Sequence, residues 1–444
     1  MKTGQEASKK HVFSKQPAFF RRYEYLWKKP SFAFMLLMLI SLFALAAVFL
    51  FTRGNAMEHF WFYSTIDTGM DFFHSIEYVR GRWPYKIFET LYPPLANLFF
   101  LFIYAFIPES VTENWTYDFT ESVNMRQTAY DLRTYQSCFM MFLFFVILVT
   151  FMLAILVSRY LRKKGIRSAG ACALGFVLSY GVLQALERGN IVILAAGFSL
   201  LFVSFYRSDN KILKELALIS LAAAAGLKVY PCLLGVLILK EKDFSAAIRT
   251  VLYGIAAFIL PCFAFREGLE AIPMWLTILI NHTNSLEEPW LGIGISNAFA
   301  DGAHLIDMIF GSSLADSSFG IAGIVVAVFF LISSLFLKKT WMSALAITFA
   351  MLFQDQGSYF FCMALIPLML FLGEEKEFTR ENSIPFLVMM TMTLPLPLLY
   401  TYNVSNARSS VFHIAILIFL IWSITDLAKN GLKEGQERHS WNRV

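Results

Sequence analysis

Charge is scarce in this chain. Asp, Glu, Lys and Arg make up 16% of its 444 residues, where a soluble domain carries about a quarter. So few charges cannot cover a folded surface, so a soluble globular class is excluded and the bilayer must be part of the solvent. Cysteine is scarce too. Cys138, Cys172, Cys232, Cys262 and Cys362 all lie inside apolar runs, with no Cys-x-x-Cys pair and no His cluster beside them. That pattern indicates neither a disulfide framework nor a zinc site and reads as small buried side chains. Low-complexity segments and a clear internal repeat are also missing, and no nucleic-acid partner is expected.

What the chain has instead is apolar length. Hydrophobic residues make up 57%, with 46 Phe, and the mean hydropathy is +0.58. The first run follows a long basic lead and is about 20 residues long, a membrane-crossing length. It is expected to be a retained anchor rather than a cleaved signal. Runs bounded by charge or Pro/Gly predict spans near 32–51, 135–158, 169–186, 191–206, 212–228, 229–240, 245–265, 317–337, 341–353, 358–373, 384–401 and 409–428. The run 229–240 is short enough to be half of a broken helix.

Lys and Arg orient these spans. Of the 37, 27 fall in 1–31, 159–167, 207–214, 240–249, 338–339, 376–380 and the C-terminal tail, while 19 of the 32 acids fall in the other segments. One consistent assignment places both termini in the cytoplasm with twelve spans between. The run 93–107 is only about 15 residues long. As a span it would turn the acidic 109–131 inward and the basic 159–167 outward, so it is expected to lie along the outer membrane surface. The expected fold is an all-α polytopic bundle with a cytoplasmic tail 1–31, one membrane domain 32–428 and a second tail 429–444. Its outer loops are 52–134 and 266–316. The short cytoplasmic loops fit a prokaryotic plasma membrane.

Five polar breaks then fall on the outer side. In the first loop Asp67 and Asp71 are four apart, and His74 and Tyr78 follow Asp71 at i+3 and i+7, so on a helix they share a face. Such a group suits deprotonation of a hydroxyl. The blander alternative is that Asp67 caps the helix and Glu77 pairs with Arg80 on a solvated surface. Arg82, Tyr85 and Tyr92 belong to a turn, Gly81 to Tyr85, and to a Tyr-Pro-Pro-Leu start of the surface helix, with Pro in its first turn. The second break, Gln184 to Asn190, offers Glu187, Arg188 and Asn190 to a head group, or is a plain turn. The third, Gly226-Leu-Lys-Val-Tyr-Pro231, embeds Lys228 and Tyr230 in apolar sequence. An intramembrane lysine is costly and marks a site, unless it snorkels to ordinary lipid. Gln356 and Tyr359 form the fourth break, and His282 lies in the fifth. Asn114, Asn281 and Asn403 each begin an Asn-x-Ser/Thr triplet.

Asp71-Phe72, Gly81 to Tyr85, Tyr92 to Leu95, Gly189-Asn190 and Gly226 to Pro231 occur in an order that resembles the multispan GT-C glycosyltransferases. The pattern is most similar to glycosyltransferase family 87, which includes polyprenol-phosphate-dependent mannosyl- and arabinosyltransferases. The resemblance implies a GT-C-like bundle with an outward active site. A polyprenyl-phosphate sugar is the implied donor, a glycan or glycolipid the implied acceptor, and transfer proceeds with inversion. It implies Asp71 as general base, with Asp67 as second choice, and Lys228, Arg188 and Arg82 as partners of the leaving phosphate. The remaining polar residues of the breaks would line the substrate path, within membrane lipid. No cofactor is expected, and no metal cluster is evident in the sequence. The rival readings are a transporter or flippase of lipid-linked sugars, and a glycan polymerase or ligase relying on outer-loop arginines.

Overall fold

The structure is a computed structural model that describes residues 28–55, 68–108, 132–284, 292–314, 319–353, 356–396 and 405–441, together with 26, 110 and 111. Among these residues it is built of helices alone. Asp67 lies outside the described residues, as does most of the acidic stretch 109–131.

A helix or helix pair underlies each of the twelve apolar runs. Helix α1 is Pro30–Phe51. Two short helices follow, α2 (Met70–Tyr78) and α3 (Pro94–Tyr104), then α4 (Gln136–Lys163). Next come α5 (Ala169–Val177), α6 (Tyr180–Arg188), α7 (Val192–Phe205) and α8 (Lys211–Leu227). A 3-10 turn Tyr230–Gly235 leads into α9 (Val236–Lys240), and α10 (Phe244–Ile259) runs on through a 3-10 turn to Ala264. The segment after that turn holds α11 (Ala271–Asn284) and α12 (Ile295–Phe310). The C-terminal part is α13 (Gly320–Phe336), α14 (Thr340–Ala350), a 3-10 turn Ser358–Ala364, α15 (Leu365–Glu374), α16 (Arg380–Thr393) and α17 (Ser405–Trp441).

Among the described residues, four helices are long and apolar enough to cross a membrane alone: Pro30–Phe51, Gln136–Lys163, Phe244–Ala264 and Ser409–Lys429. The pair α5–α6, bent by 49°, meets the same criterion only when taken together, as a broken span or a re-entrant loop. Other apolar helices of 10–17 residues are shorter than a perpendicular crossing needs. One expected boundary moves. The run 384–401 yields a helix that stops at Thr393, because Pro395 pushes Leu394 into extended geometry (φ −71°, ψ 127°).

Side-chain burial sorts the helices into shells. Every residue of α14 is buried, as is α15 from Leu365 to Gly373. These helices are apolar all round and form the centre. The outward faces of α1 and α4 instead carry large exposed side chains such as Phe43 (67%) and Phe144 (66%), which is the surface a lipid solvent favours. Polar caps mark the other ends of several helices. Asn210 accepts from the backbone N–H of Ile212 and Leu213 to start α8, Asp243 accepts from Ala246 to start α10, and Thr379 and Asn382 form a capping box on α16.

Candidate active site

The site is built on α2. Its buried side takes Phe72 and Phe73 into an aromatic cluster, with Phe72 at 5.9 Å from Phe100, 5.5 Å from Phe142 and 5.3 Å from Phe145, centroid to centroid. Burying one such ring contributes roughly 2 kcal/mol, so the cluster fixes the rotation of this short helix. Apart from Met70 at its start, the half-buried positions left over are Asp71, His74 and Tyr78, the face that the spacing predicts. His74 and Tyr78 stand with ring centroids 6.3 Å apart.

The end of α6 meets the start of α2. The Gly69 N–H donates to the Glu187 carbonyl at 2.6 Å, and the Thr68 hydroxyl donates to Glu187 Oε1 at 2.7 Å. Arg188 then donates from Nη2 to Asp71 Oδ1 at 2.5 Å, and Asn190 donates from Nδ2 to Asp71 Oδ2 at 2.6 Å. The Asn190 amide is oriented by its own oxygen, which accepts from the Val192 N–H at 2.9 Å. Between them Gly189 turns the chain in the left-handed region at φ +64°, where a Cβ would lie 2.7 Å from Phe72 Cβ and 2.8 Å from Phe142. Only glycine meets both demands. The resulting carboxylate–guanidinium pair is sheltered, with side-chain exposures of 14% for Asp71 and 18% for Arg188.

Lys228 approaches from the end of α8. Its ammonium lies 4.3 Å from the Tyr92 ring centroid and 5.9 Å from that of Tyr359, close enough to Asp71 for the two charges to interact. Two aromatic faces thus stand in for part of the water this cation gives up. Tyr92 is pushed well above the usual phenol range by burial, with the Asp71 charge acting in the same direction. Tyr78 rises to about 12 for the same two reasons. Both phenols therefore stay protonated and can donate.

Tyr230 packs its ring 5.3 Å from Phe360 in the 358–364 turn, and among the described residues its buried hydroxyl has no partner. That turn is pressed against α6, where a Cβ on Gly181 would lie 2.3 Å from the Cys362 nitrogen. The Gln356 carbonyl accepts from the Ile293 N–H at 3.2 Å. Four of the five predicted breaks therefore converge around Asp71.

Other expected residues stand elsewhere or do other work. Arg82 is exposed, and its carbonyl accepts from the Arg266 N–H at 3.0 Å. Tyr85 is buried, donates its hydroxyl to the Tyr92 carbonyl and accepts from Asn97, both at 3.0 Å. His282 falls within α11, and its side chain lies outside the described residues. Glu77 is not on a solvated surface. It is 2% exposed, with Arg80 at 3.7 Å, and burial raises its carboxyl to about 7 against the pull of Arg80. Sequence reasoning missed the clamp between the segment 80–92 and the segment 266–275. Buried Glu267 accepts from the backbone N–H of Tyr85 and Lys86, and Trp275 donates to the Leu91 carbonyl at 3.0 Å. These contacts span more than 180 residues, and a lone Glu or Trp in a loop carries no local signal for them. No group of three or more His, Cys, Asp or Glu among the described residues is placed to hold a metal ion.

Neither the search of curated proteins nor that of solved structures found a match. The model of glycosyltransferase family 87 matches residues 90–355. The matched range takes in Tyr92, Arg188, Asn190, Lys228 and Tyr230 and begins after Asp71, whose membership of the site therefore rests on its contacts. More than half the length is covered, and the chain belongs to glycosyltransferase family 87.

Proposed function

We propose that this glycosyltransferase moves a mannose- or pentose-like sugar from a polyprenyl-phosphate donor to a hydroxyl of an extracytoplasmic glycan or lipid, with inversion. One observation carries the reading. A sheltered carboxylate, Asp71, is held between Arg188 and Asn190, with a second cation, Lys228, facing it from a helix end in apolar sequence. Asp71 accepts the acceptor's hydroxyl proton as the oxygen attacks the anomeric carbon. The bond from that carbon to the phosphate oxygen breaks, and the lipid phosphate leaves with its electron pair. Lys228 and Arg188 stand ready for the charge that develops there. Arg188 thereby changes partner, from the base in the resting enzyme to the phosphate during reaction. Asn190 keeps Asp71 in place while that happens, and the protonated phenols of Tyr78 and Tyr92 offer hydrogen bonds to the sugar. A leaving monophosphate facing two protein cations makes a divalent metal less necessary than it is for a nucleotide-sugar donor.

The test is transfer from a panel of radiolabelled polyprenyl-phosphate sugars in membranes, with Asp71→Asn at matched expression. The variant is expected to lose roughly 10²–10⁴-fold in rate, and the wild type to keep its activity in EDTA. Undiminished transfer by Asp71→Asn would remove the base assignment. A strict magnesium requirement would remove the metal-free reading.

A further inference from the structure

A groove of about 530 Å³ lies between α4 and α5, far from Asp71. Phe142 of α4 touches the site cluster, whereas Arg159 is 17 residues further along the helix, a rise of about 25 Å. The two regions therefore stand nearly a hydrocarbon-core thickness apart along a helix long enough to cross a membrane. The groove wall is apolar, with Phe151 and Ile155 from α4 and Leu174 and Val177 from α5, and one end carries Arg159 and Arg162. From Thr150 to Arg162 the wall runs about 18 Å, enough to lie along most of an acyl chain. The two arginines are exposed and sit at i, i+3 on one helix face. Neither forms an ion pair with another described residue.

We propose that this groove is a binding site for an anionic phospholipid, with one acyl chain against the apolar wall and the phosphate between Arg159 and Arg162. The choice of lipid follows from charge. Two guanidinium groups without a carboxylate between them match a headgroup of net negative charge and repel the ammonium of a zwitterionic one. Basic pockets between membrane helices take anionic headgroups on this physical ground. The inference is independent of the sugar-transfer reading.

The experiment is reconstitution of the full chain in nanodiscs of equal phosphatidylglycerol and phosphatidylethanolamine, with retained lipid read by native mass spectrometry. The wild type is expected to retain phosphatidylglycerol selectively. Arg159→Gln with Arg162→Gln should lower that retention roughly thirtyfold, the effect of two basic groups near the headgroup. Gly170→Leu provides a steric counterpart. A Cβ at this groove-lining position meets nothing within 4 Å, so the larger side chain fills the groove with both arginines intact and should also expel the lipid. Lys163→Gln, exposed on the same turn and outside the groove, should leave retention unchanged. Retention by both the arginine and the Gly170 variants would overturn the site. Equal loss from Lys163→Gln would reduce it to diffuse surface charge, and displacement by glycerol phosphate would show that the chain is not held. Either of these also overturns the proposal.

Discussion

Glu77 shows how one residue on the helix that carries the candidate site can report on that helix. Its carboxyl is buried beside the functional face, and one oxygen has no partner among the described residues. Burial raises its pKa from 4.5 to about 7. The closed form of α2 therefore keeps a proton that the opened form has already lost. Between pH 4.5 and 7 the opened form ionises and gains, so the closed form loses stability as pH rises through that window and levels off above it. The full change is on the order of 3 kcal/mol. Amide hydrogen exchange across 70–78 at pH 5 and pH 7.5 should reveal faster opening at the higher pH, and Glu77→Gln should abolish the difference. A pH-independent opening of α2 in the wild type would mean that Glu77 finds a cation or water when it ionises.

At the scale of elements, the site exists because three helix breaks and one short helix meet, and each junction is made by a particular contact. Gly189 joins α6 to α2. An alanine there incurs the left-handed penalty of about 1 kcal/mol and forces its methyl into Phe72 and Phe142, an overpacking of about 1–3 kcal/mol. Gly189→Ala should therefore melt several degrees lower than wild type and transfer sugar poorly, because Arg188 and Asn190 move with the turn. Gly170→Ala, which fills open space inside helix α5, is the control and should melt no lower than the wild type, since alanine is the better helix former. Equal melting of the two variants would mean the junction yields freely. Much of this architecture was legible in the chain. Pro93-Pro94 announces the start of α3, the Gly189-Asn190 pair marks the end of α6, and an isolated lysine marks Lys228 as unusual. The burial of Glu77 was not legible, because Arg80 at i+3 gives the look of a solvated pair and only the aromatic cluster decides which face is covered. Glu267 and Trp275 were illegible for a different reason. Their partners lie more than 180 residues away, and nothing in a local window encodes them.

For the whole molecule the open matter is which way the bundle faces, and charge supplies a prediction. The basic segment 159–167 lies at the far end of α4 from Asp71, and on the charge rule it faces the cytoplasm. The active-site end then faces out, where a polyprenyl-phosphate sugar would be presented in the outer leaflet. Two exposed lysines sit at these ends, Lys86 between α2 and α3 and Lys163 on the last turn of α4. Of the five native cysteines only Cys232 is exposed, so Cys232→Ser gives a quiet background. On that background a membrane-impermeant maleimide applied to intact cells should label Lys86→Cys and leave Lys163→Cys unlabelled until the membrane is opened. The reverse pattern would place the sugar-transfer chemistry in the cytoplasm and remove the lipid-phosphate donor from the outer leaflet. Labelling of both in intact cells would break the single crossing by α4 on which the separation of the catalytic end from the lipid groove depends.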